Sequence, residues 1–377
     1  MLDRKINIGV TLYIRNNGQS FWENGIFQNV LYLLRVLEKL PFVNKAILLI
    51  ETNGTSEDIQ KFFNGIRVEY VLIKDCFNLI DFAIEFGVTF DPNWIKKFRT
   101  EKNGKVVAMR VGNDYFIDVS KTIHDKDHAA LFSNSEYDEV WTLPQYKDVI
   151  MDYYEVGFNA NVRIMPHIWS PELLEHYLKA NPTWKSFSYT PNKKKWRIGI
   201  LEPNIYVIKT YLTPLLISEL TFKANPEIIE NVNMFSSEHI KDKTPYRAFT
   251  NKLNLAKAGK LINSPRYITP YGVPNFLDVI VSHQTFNSQN YIYYEALYGN
   301  YPLIHNSEIL LEKDVGYYYP NFDAKAGKTA LLTAFENHDK NLDEIKEKNK
   351  EFISDLLPTS AYIQKEYGDA ILNILNT

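Results

Sequence analysis

The chain has 377 residues, of which 45% are hydrophobic and 23% are charged, and its formal net charge is −3. These are the proportions of an ordinary globular protein, and at roughly 150 residues per domain the length predicts two domains. With 16 glycines against 25 tyrosines and 22 phenylalanines, the composition excludes collagen-like, low-complexity and disordered classes. The small net charge, without a long basic block, argues against nucleic acid as a partner.

A single cysteine, Cys76, permits neither an intrachain disulfide nor a metal site built from several thiolates, which is typical of a reducing compartment. The first residues lead into a strand-like segment without the apolar region of a signal peptide, and no apolar run of about 18 residues occurs. We therefore expect a cytoplasmic protein, with peripheral association at the inner face of the membrane as a further option.

Short apolar segments of strand length alternate with helical patterns in the first half of the chain. The first, Ile6–Ile14, precedes a polar loop and a helix predicted over Ile26–Leu40, whose apolar residues recur at spacings of three and four. The further predicted strands are Lys45–Glu51, Arg67–Ile73, Leu79–Glu85, Lys105–Arg110, Glu139–Thr142 and Asn161–Met165. This alternation predicts a parallel sheet covered by helices on both faces.

Residues 181–195 form a polar segment ending in three lysines, a composition typical of an exposed linker. The strand, loop and helix pattern then restarts with a strand over Trp196–Glu202. Its later elements are predicted at Thr210–Ala224, Ile228–Phe235, Leu277–Ser282, Asn290–Tyr298, Tyr301–His305 and Ala361–Leu375. We predict a first domain over residues 1–180, a second over 196–355, and a helical segment over 356–377 that packs back on the first domain.

The segment Val281–Asn306 combines a strand end, a polar loop and the start of a helix near Asn290. Ligands bind beyond the carboxyl ends of parallel strands, and a helix N-terminus offers unpaired N–H groups that suit a phosphate or diphosphate. Glu295 lies further along this helix, where its carboxylate is a candidate acceptor for sugar hydroxyls. The alternative is a solvated Glu295 beside a packing stripe of tyrosines, namely Tyr291, Tyr294 and Tyr298.

The arrangement Glu295-Ala296-Leu297, followed by Gly299 and Pro302, resembles the E-A-M-x-x-G-x-P-V element of nucleotide-sugar glycosyltransferases with the GT-B fold. This resemblance implies an α/β protein with two Rossmann-like doubly wound domains that face a cleft. It also implies that Glu295 binds the donor ribose. The helix N-terminus, at Asn290 and Tyr291, would hold the diphosphate.

The resemblance extends the predicted donor site to other loops. Asn287 stands where retaining members have a glutamate that contacts the donor sugar. Lys209, in the loop after the first strand of the second domain, is placed to reach the diphosphate, and Asn204 to contact the base or a phosphate oxygen. His283 and Gln284, which follow the strand that ends near Ser282, complete the predicted donor-binding residues.

A closer resemblance is to a bacterial family of glycosyltransferase-like proteins of unassigned function. The segments that carry it are Gln19–Gly25, Arg110–Asp114, Pro166–Trp169, Glu202–Asn204 and Ser282–Gln284. They are spread over nearly the whole chain, so this resemblance implies the fold more firmly than it implies a reaction.

In the first domain, the loop Trp22–Gly25 would face the cleft if the two halves pack as in GT-B enzymes. Glu23 is a candidate general base or acceptor-binding carboxylate, and Asn24 is a candidate acceptor ligand. The alternative for Glu23 is an acidic residue at a helix start, where it complements the helix dipole.

The segment Arg110–Asp114 follows a strand and offers further polar groups. Arg110 and Asn113 are candidates for binding the acceptor, Arg110 also for a donor phosphate, and Asp114 is a candidate to take the proton of an attacking hydroxyl. An ion pair between Arg110 and Asp114 that fixes the loop is the alternative. His167 is a candidate contact to the donor sugar or the leaving group, or a structural histidine.

The segment His124–His128 contains a D-x-D pattern, which we interpret as solvated surface because it continues a polar helical stretch. We therefore expect no metal or cofactor. The predicted function is transfer of a sugar from a nucleotide-sugar donor to a hydroxyl of a glycan or lipid-linked acceptor, in surface polysaccharide synthesis. The alternatives are a nucleotide-sugar epimerase or hydrolase, and a non-catalytic carbohydrate-binding protein.

Overall fold

The computed structural model describes residues 4–16, 18–124, 131–133 and 135–377. They form two compact units: the first combines the chain up to Ser170 with Asp355–Thr377, and the second comprises Pro171–Ser354. The segment 181–195 lies within the second unit, where Phe187 and Tyr189 are buried.

The first unit is built on a parallel sheet that has seven strands in the described part of the chain. Strands β1 to β7 are, in chain order, Ile6–Ile14, Val43–Thr52, Tyr70–Leu72, Phe82–Glu85, Lys105–Met109, Glu139–Thr142 and Val162–Ile164. They lie in the order β3-β2-β1-β4-β5-β6-β7, so the direction of winding reverses between β1 and β4. Such a reversal is the switch point at which doubly wound sheets bind ligands.

Helices accompany these strands. Helices α1 to α5 are Gly25–Leu37, Ser56–Phe63, Pro92–Lys102, Asp114–Ile123 and Lys147–Phe158. The predicted apolar face of α1 is buried, including Val30, Leu33 and Leu34. Strand β1 is buried at all but two positions, as expected for a parallel strand covered on both faces.

The second unit repeats this plan with a parallel sheet of six described strands. Strands β8 to β13 are Trp196–Ile200, Ile229–Met234, Leu261–Asn263, Val279–Val281, Leu303–His305 and Tyr317–Tyr318. Their order is β10-β9-β8-β11-β12-β13, which places a second switch point between β8 and β11. The edge strands β10 and β13 were not predicted, because runs of three and two residues are too short to show a periodicity.

Helices α6 to α13 of the second unit are Glu172–Ala180, Leu212–Ala224, Thr244–Thr250, Asn254–Lys257, Thr269–Phe276, Tyr291–Tyr298, Glu308–Glu312 and Ala324–Asn337. Helix α14, Leu342–Leu356, begins in this unit and ends in the first. Helix α15, Ala361–Leu375, belongs to the first unit, where Tyr367 donates a hydrogen bond to the carbonyl of Pro166 (3.1 Å) and Gln364 to that of Val36 (3.1 Å).

The predicted α/β class with two Rossmann-like doubly wound units is confirmed. Within the described residues, no helix is long and apolar enough to cross a membrane.

Candidate functional site

Glu202 joins the two strands that flank the switch point of the second unit. It follows β8, and its side chain is only 2% exposed. One carboxylate oxygen accepts hydrogen bonds from Ser282 Oγ (2.5 Å) and the His283 backbone (3.2 Å), and the other accepts one from Gln284 Nε2 (2.7 Å). Burial raises the pKa of Glu202 to about 7, opposed by the Ser282 hydrogen bond and the charge of Lys209. This carboxylate therefore fixes the loop that follows β11.

Lys209 lies half-buried in the loop after β8, close to Glu202. Burial lowers the pKa of Lys209, the carboxylate of Glu202 opposes that decrease, and the positive charge of Arg266 adds to it. Arg266 comes from the segment after β10, which is separated from β8 only by β9. The fold thus brings two cations from different loops to the same edge of the sheet.

Glu295 is buried on α11, with 3% exposure, so the alternative of a solvated carboxylate is excluded. Burial raises the pKa of Glu295 to about 7, and a hydrogen bond from Thr269 and the charge of Arg266 oppose the increase. Arg266 therefore lies within electrostatic reach of both Lys209 and Glu295. Tyr291 and Tyr294 are buried as well, so this part of the helix also packs as the predicted stripe.

The N-terminus of α11 lacks a side-chain cap, because the side chain of Asn290 accepts no hydrogen bond from the first turn. In the preceding loop, Asn287 donates to Gln284 Oε1 (2.7 Å), and both side chains are buried. The loop is therefore ordered by its own amides and by Glu202. The Asn290 side chain does not offset the positive end of the α11 dipole.

Asn204 has a structural role in its own loop, and its predicted contact to a base or phosphate stays a prediction. Its φ angle is 56°, in the left-handed region. Its side-chain oxygen accepts the N–H of Tyr211 (2.8 Å), and its amide donates to the carbonyl of Glu202 (2.8 Å). The side chain thus shapes the loop that carries Lys209.

In the first unit, Glu23 and Asn24 lie between β1 and α1. Glu23 forms an ion pair with Arg15 (2.6 Å) and accepts the N–H of Ser20 (3.3 Å). Asn24 is the N-cap of α1, and its side-chain oxygen accepts the N–H of Ile26 (3.1 Å). Both side chains have structural partners, and their predicted roles toward a ligand stay predictions.

Arg110 is buried and pairs with Glu85 at the end of the neighbouring strand β4, with Nη2 2.6 Å from Oε1. The same carboxylate accepts hydrogen bonds from Tyr137 (2.9 Å) and the backbone of Phe90 (2.9 Å). The Arg110 guanidinium also lies 5.3 Å from the ring centre of Phe158. Arg110 thus pairs with Glu85 on the adjacent strand, and the alternative of an ion pair between Arg110 and Asp114 is not formed.

Asp114 begins α4, and Asn113 is its N-cap, accepting the N–H of Phe116 (3.4 Å). The hydroxyl of Tyr154 donates to Asp114 Oδ2 (2.6 Å). Burial raises the pKa of Asp114, although the Tyr154 hydrogen bond and the charge of Arg110 oppose the increase. A carboxylate with a raised pKa is a stronger base when it is ionised.

His167 is buried, with 6% exposure, in the segment that Tyr367 fastens through the carbonyl of Pro166. Of the segment His124–His128, residues 125–128 lie outside the described residues. Among the residues that are described, no group of three or more His, Cys, Asp or Glu side chains is arranged to hold a metal ion.

The predicted residues fall into two groups, one at the carboxyl edge of each sheet. In the second unit, hydrogen bonds join His283 and Gln284 to Glu202, and Gln284 to Asn287. In the first unit, Glu23 follows β1 and Asp114 follows β5, and these two strands lie about 10 Å apart because β4 separates them. No hydrogen bond or ion pair among the described residues joins Glu23 to Asp114.

Sequence reasoning did not assign several residues of these groups to the site: Glu85, Tyr154, Glu202, Arg266 and Thr269. Glu85 offered a signal, since it is an acidic residue at the end of a buried apolar strand. Arg266 offered none, because its relation to Glu295 depends on which strands are neighbours in the sheet.

Solved structures of glycosyltransferases share the fold. The α,α-trehalose 6-phosphate synthase of Burkholderia multivorans has 8% sequence identity and a TM-score of 0.56, over 99% of this chain and 97% of that one. The lipopolysaccharide outer core galactosyltransferase WaaB has 10% identity and a TM-score of 0.56, over 98% of this chain and 99% of that one. These similarities confirm the GT-B fold.

The pneumococcal O-GlcNAc transferase GtfA is also similar, with 11% identity and a TM-score of 0.48 over 78% of this chain. The chain spans 57% of the length of that transferase. No curated protein is significantly similar to the sequence. The profile of the DUF2827 family, described as proteins of unknown function, matches residues 8–371, and the chain belongs to that family.

Proposed function

We propose that the protein is a glycosyltransferase that binds a nucleotide-sugar donor in its second unit and an acceptor hydroxyl in its first. The observation that carries this proposal is that Arg266 lies within electrostatic reach of both Lys209 and Glu295, and that Glu295 belongs to α11, a helix whose N-terminus has no side-chain cap. A buried carboxylate suits ribose hydroxyls, and two cations with helix N–H groups suit a diphosphate.

In the proposed reaction, the acceptor oxygen attacks the anomeric carbon of the donor sugar. The bond from that carbon to the diphosphate oxygen breaks, and the nucleoside diphosphate leaves with the electron pair. Lys209, Arg266 and the α11 dipole neutralise the negative charge of the leaving group, a task for which fixed dipoles and cations can replace a metal ion. Asp114 takes the proton of the acceptor hydroxyl, as its raised pKa favours.

Isothermal titration with UDP, GDP and ADP tests the donor site. We expect one of these nucleotides to bind, and Glu295→Ala, Lys209→Ala and Arg266→Ala each to weaken it by about 10-fold or more, since hydrogen bonds to charged groups contribute about 1.5–3 kcal/mol. Lys325→Ala, at an exposed position of α13 in the same unit, is the matched control. Absence of binding, or an unchanged affinity in Glu295→Ala, contradicts the donor site.

Product analysis by mass spectrometry separates transfer from the alternatives. A new glycoside that requires both a nucleotide sugar and a glycan or lipid-linked acceptor supports the proposal. An isomerised or free sugar formed from the donor alone indicates an epimerase or hydrolase. Donor binding without turnover over a broad acceptor panel favours a carbohydrate-binding protein, for which the amide of Asn287 in place of a carboxylate is the motivating residue.

The proposal includes metal-independent turnover in the cytoplasm, in surface polysaccharide synthesis, with a lipid-linked acceptor reached at the inner face of the membrane. Turnover that persists in excess EDTA supports the first part. Co-sedimentation with anionic lipid vesicles tests membrane association, for which the three lysines at 193–195 are candidate contacts. Of these, Lys193 also pairs with Asp278, so Lys194 and Lys195 are the lysines to substitute first.

A further inference from the structure

Hydrogen bonds in the second unit determine which nitrogen of His283 carries the proton. The hydroxyl of Tyr319 donates to the backbone carbonyl of Ser282 (2.9 Å), which can only accept. That same hydroxyl oxygen lies 3.0 Å from His283 Nδ1. Because a tyrosine hydroxyl has one proton and the carbonyl takes it, Nδ1 must be the donor in the second contact.

The other ring nitrogen, Nε2, is then a bare acceptor. The imidazole is 2% exposed, and burial lowers its pKa to about 4, so the ring is neutral near pH 7. Among the described residues, Nε2 has no hydrogen-bond partner. Buried polar atoms are nearly always paired, so an unpaired acceptor at a sheet edge indicates a ligand that supplies a proton donor.

His283 belongs to the proposed donor site and not to a separate region. The backbone N–H of His283 donates to Glu202 (3.2 Å). The preceding residue, Ser282, also donates to that carboxylate through its hydroxyl. On its other side, the ring of Phe322 lies 4.5 Å from the imidazole. The Phe322 side chain is 64% exposed, so it can move without disturbing the core.

We propose that His283 Nε2 accepts a hydrogen bond from a hydroxyl of the donor's glycosyl group, while Phe322 packs against an apolar face of that sugar. This inference rests on the proposed function. A phosphate diester has no proton to donate at neutral pH, so Nε2 would repel it, and the ribose hydroxyls are assigned to Glu295. A hydroxyl of the glycosyl group is the remaining hydrogen-bond donor, and the nucleoside diphosphate alone lacks it.

Two substitutions separate the roles of the two nitrogens. His283→Asn retains an N–H donor near the Nδ1 position, toward Tyr319, and removes the acceptor at Nε2. His283→Gln retains an amide oxygen near the Nε2 position. Isothermal titration compares the nucleoside diphosphate that the wild type binds with its glucose, galactose and N-acetylglucosamine conjugates.

We expect His283→Asn to lower the affinity for the nucleotide sugar about 3- to 10-fold, the usual contribution of one hydrogen bond. The affinity for the nucleoside diphosphate should change by no more than about twofold. His283→Gln should recover part of the loss. A donor analogue with a deoxy sugar that lacks the contacted hydroxyl should bind the wild type more weakly than the full nucleotide sugar by the same factor. His283→Asn should bind the analogue and the full nucleotide sugar with equal affinity.

Equal weakening of both ligands by His283→Asn would assign the contact to the nucleotide and overturn the inference, as would no weakening of either. If the wild type binds neither ligand, the proposed donor site itself fails, and the inference with it. If His283→Asn does not fold, Phe322→Ala replaces it. At this exposed position we expect weaker binding of the nucleotide sugar alone, and unchanged binding of both ligands overturns the inference.

Discussion

Arg110 is held between a carboxylate and an aromatic ring inside the first unit, 2.6 Å from Glu85 and 5.3 Å from the centre of the Phe158 ring. Burial acts to lower the pKa of Arg110, but the charge of Glu85 and the smaller contributions of Tyr137, Asp114 and Tyr154 together outweigh it, and the pKa is raised. An anionic acceptor at this site would therefore compete with Glu85 for the guanidinium.

This buried pair gives a prediction for stability. Glu85→Ala leaves the Arg110 charge buried without its partner, and we expect the free energy of unfolding to fall by about 3–5 kcal/mol. Glu69→Ala is the control, because its partner Lys45 and Glu69 are both about half exposed (49% and 50%), and such surface pairs contribute about 1 kcal/mol or less. Similar losses in the two variants, measured by denaturant unfolding, would contradict the assignment.

The Tyr154 hydroxyl gives a prediction for the proposed base. Its hydrogen bond lowers the pKa of Asp114, so Tyr154→Phe raises that pKa further. If Asp114 must be ionised to accept a proton, the acidic limb of the kcat/KM profile moves to higher pH, by up to about one pH unit. In the control, Tyr153→Phe, the lost hydrogen bond is to Asp118 (2.7 Å), and the limb should stay in place. An unmoved limb in Tyr154→Phe would remove Asp114 from this role.

At the scale of single elements, helix starts explain several polar residues that sequence reasoning assigned to ligands. Asn24 and Asn113 are both N-caps, a position for which asparagine is among the preferred residues. In α/β domains, helices start just after the carboxyl ends of strands, so caps and ligand-binding residues share the same loops. A polar residue in such a loop can be a helix cap or a ligand-binding residue, and its spacing in the sequence does not distinguish the two roles.

Gly299, in the turn between α11 and β12, is required for packing and not for an unusual backbone angle. Its φ angle is −80°, but a Cβ atom would lie 2.7 Å from the ring of Tyr301 and 2.9 Å from that of Phe187. The glycine of the E-A-L-Y-G segment thus allows the end of α11 to approach two buried aromatic rings.

We expect Gly299→Ala to lower the free energy of unfolding by about 1–3 kcal/mol, the usual cost of overpacking. Tyr301→Leu, which removes the crowded ring edge, should reduce the effect of the glycine substitution when the two are combined. Thermal or denaturant unfolding measures both. An unchanged midpoint in Gly299→Ala would show that the neighbouring rings move freely.

For the whole molecule, the buried glutamates make stability depend on pH. The pKa values of Glu202 and Glu295 are each raised from 4.5 to about 7. A raised pKa in the folded state means stability that is present in full below pH 4.5 and is lost as the pH rises through about 7. For each glutamate, this difference in pKa lowers the free energy of unfolding at and above pH 7 by about 3 kcal/mol relative to its value below pH 4.5.

Glu295→Gln tests this dependence, because glutamine cannot ionise. We expect the variant to gain stability relative to the wild type between pH 4.5 and 7, and to keep that gain at higher pH. Asp278→Asn is the opposite control: Arg197 and Lys193 lower the pKa of Asp278, so its contribution is present above pH 3.8 and is lost as the pH falls. A constant difference between Glu295→Gln and wild type across this range would contradict the raised pKa.

The sequence by itself determined the class of fold and most of the strands, but only some of the helices. Apolar runs of strand length and the buried face of α1 are local patterns, and burial on both faces of a parallel sheet makes them continuous. It also located Glu295 on a helix after a strand end. The excess of tyrosine was visible too, and it divides between core residues such as Tyr294 and groups with specific hydrogen bonds such as Tyr319.

Only the tertiary structure decided the partners of the polar groups. Ser282 meets Glu202 from 80 positions away, and Arg110 meets Glu85 from 25, because β8 lies beside β11 and β4 beside β5. The proton position on His283 depends in turn on Tyr319, which follows the edge strand β13. Hydrophobic periodicity is a local property that can be read from neighbouring positions in the sequence. The environment of a charge or a proton depends on strand order, because strand order brings distant residues together.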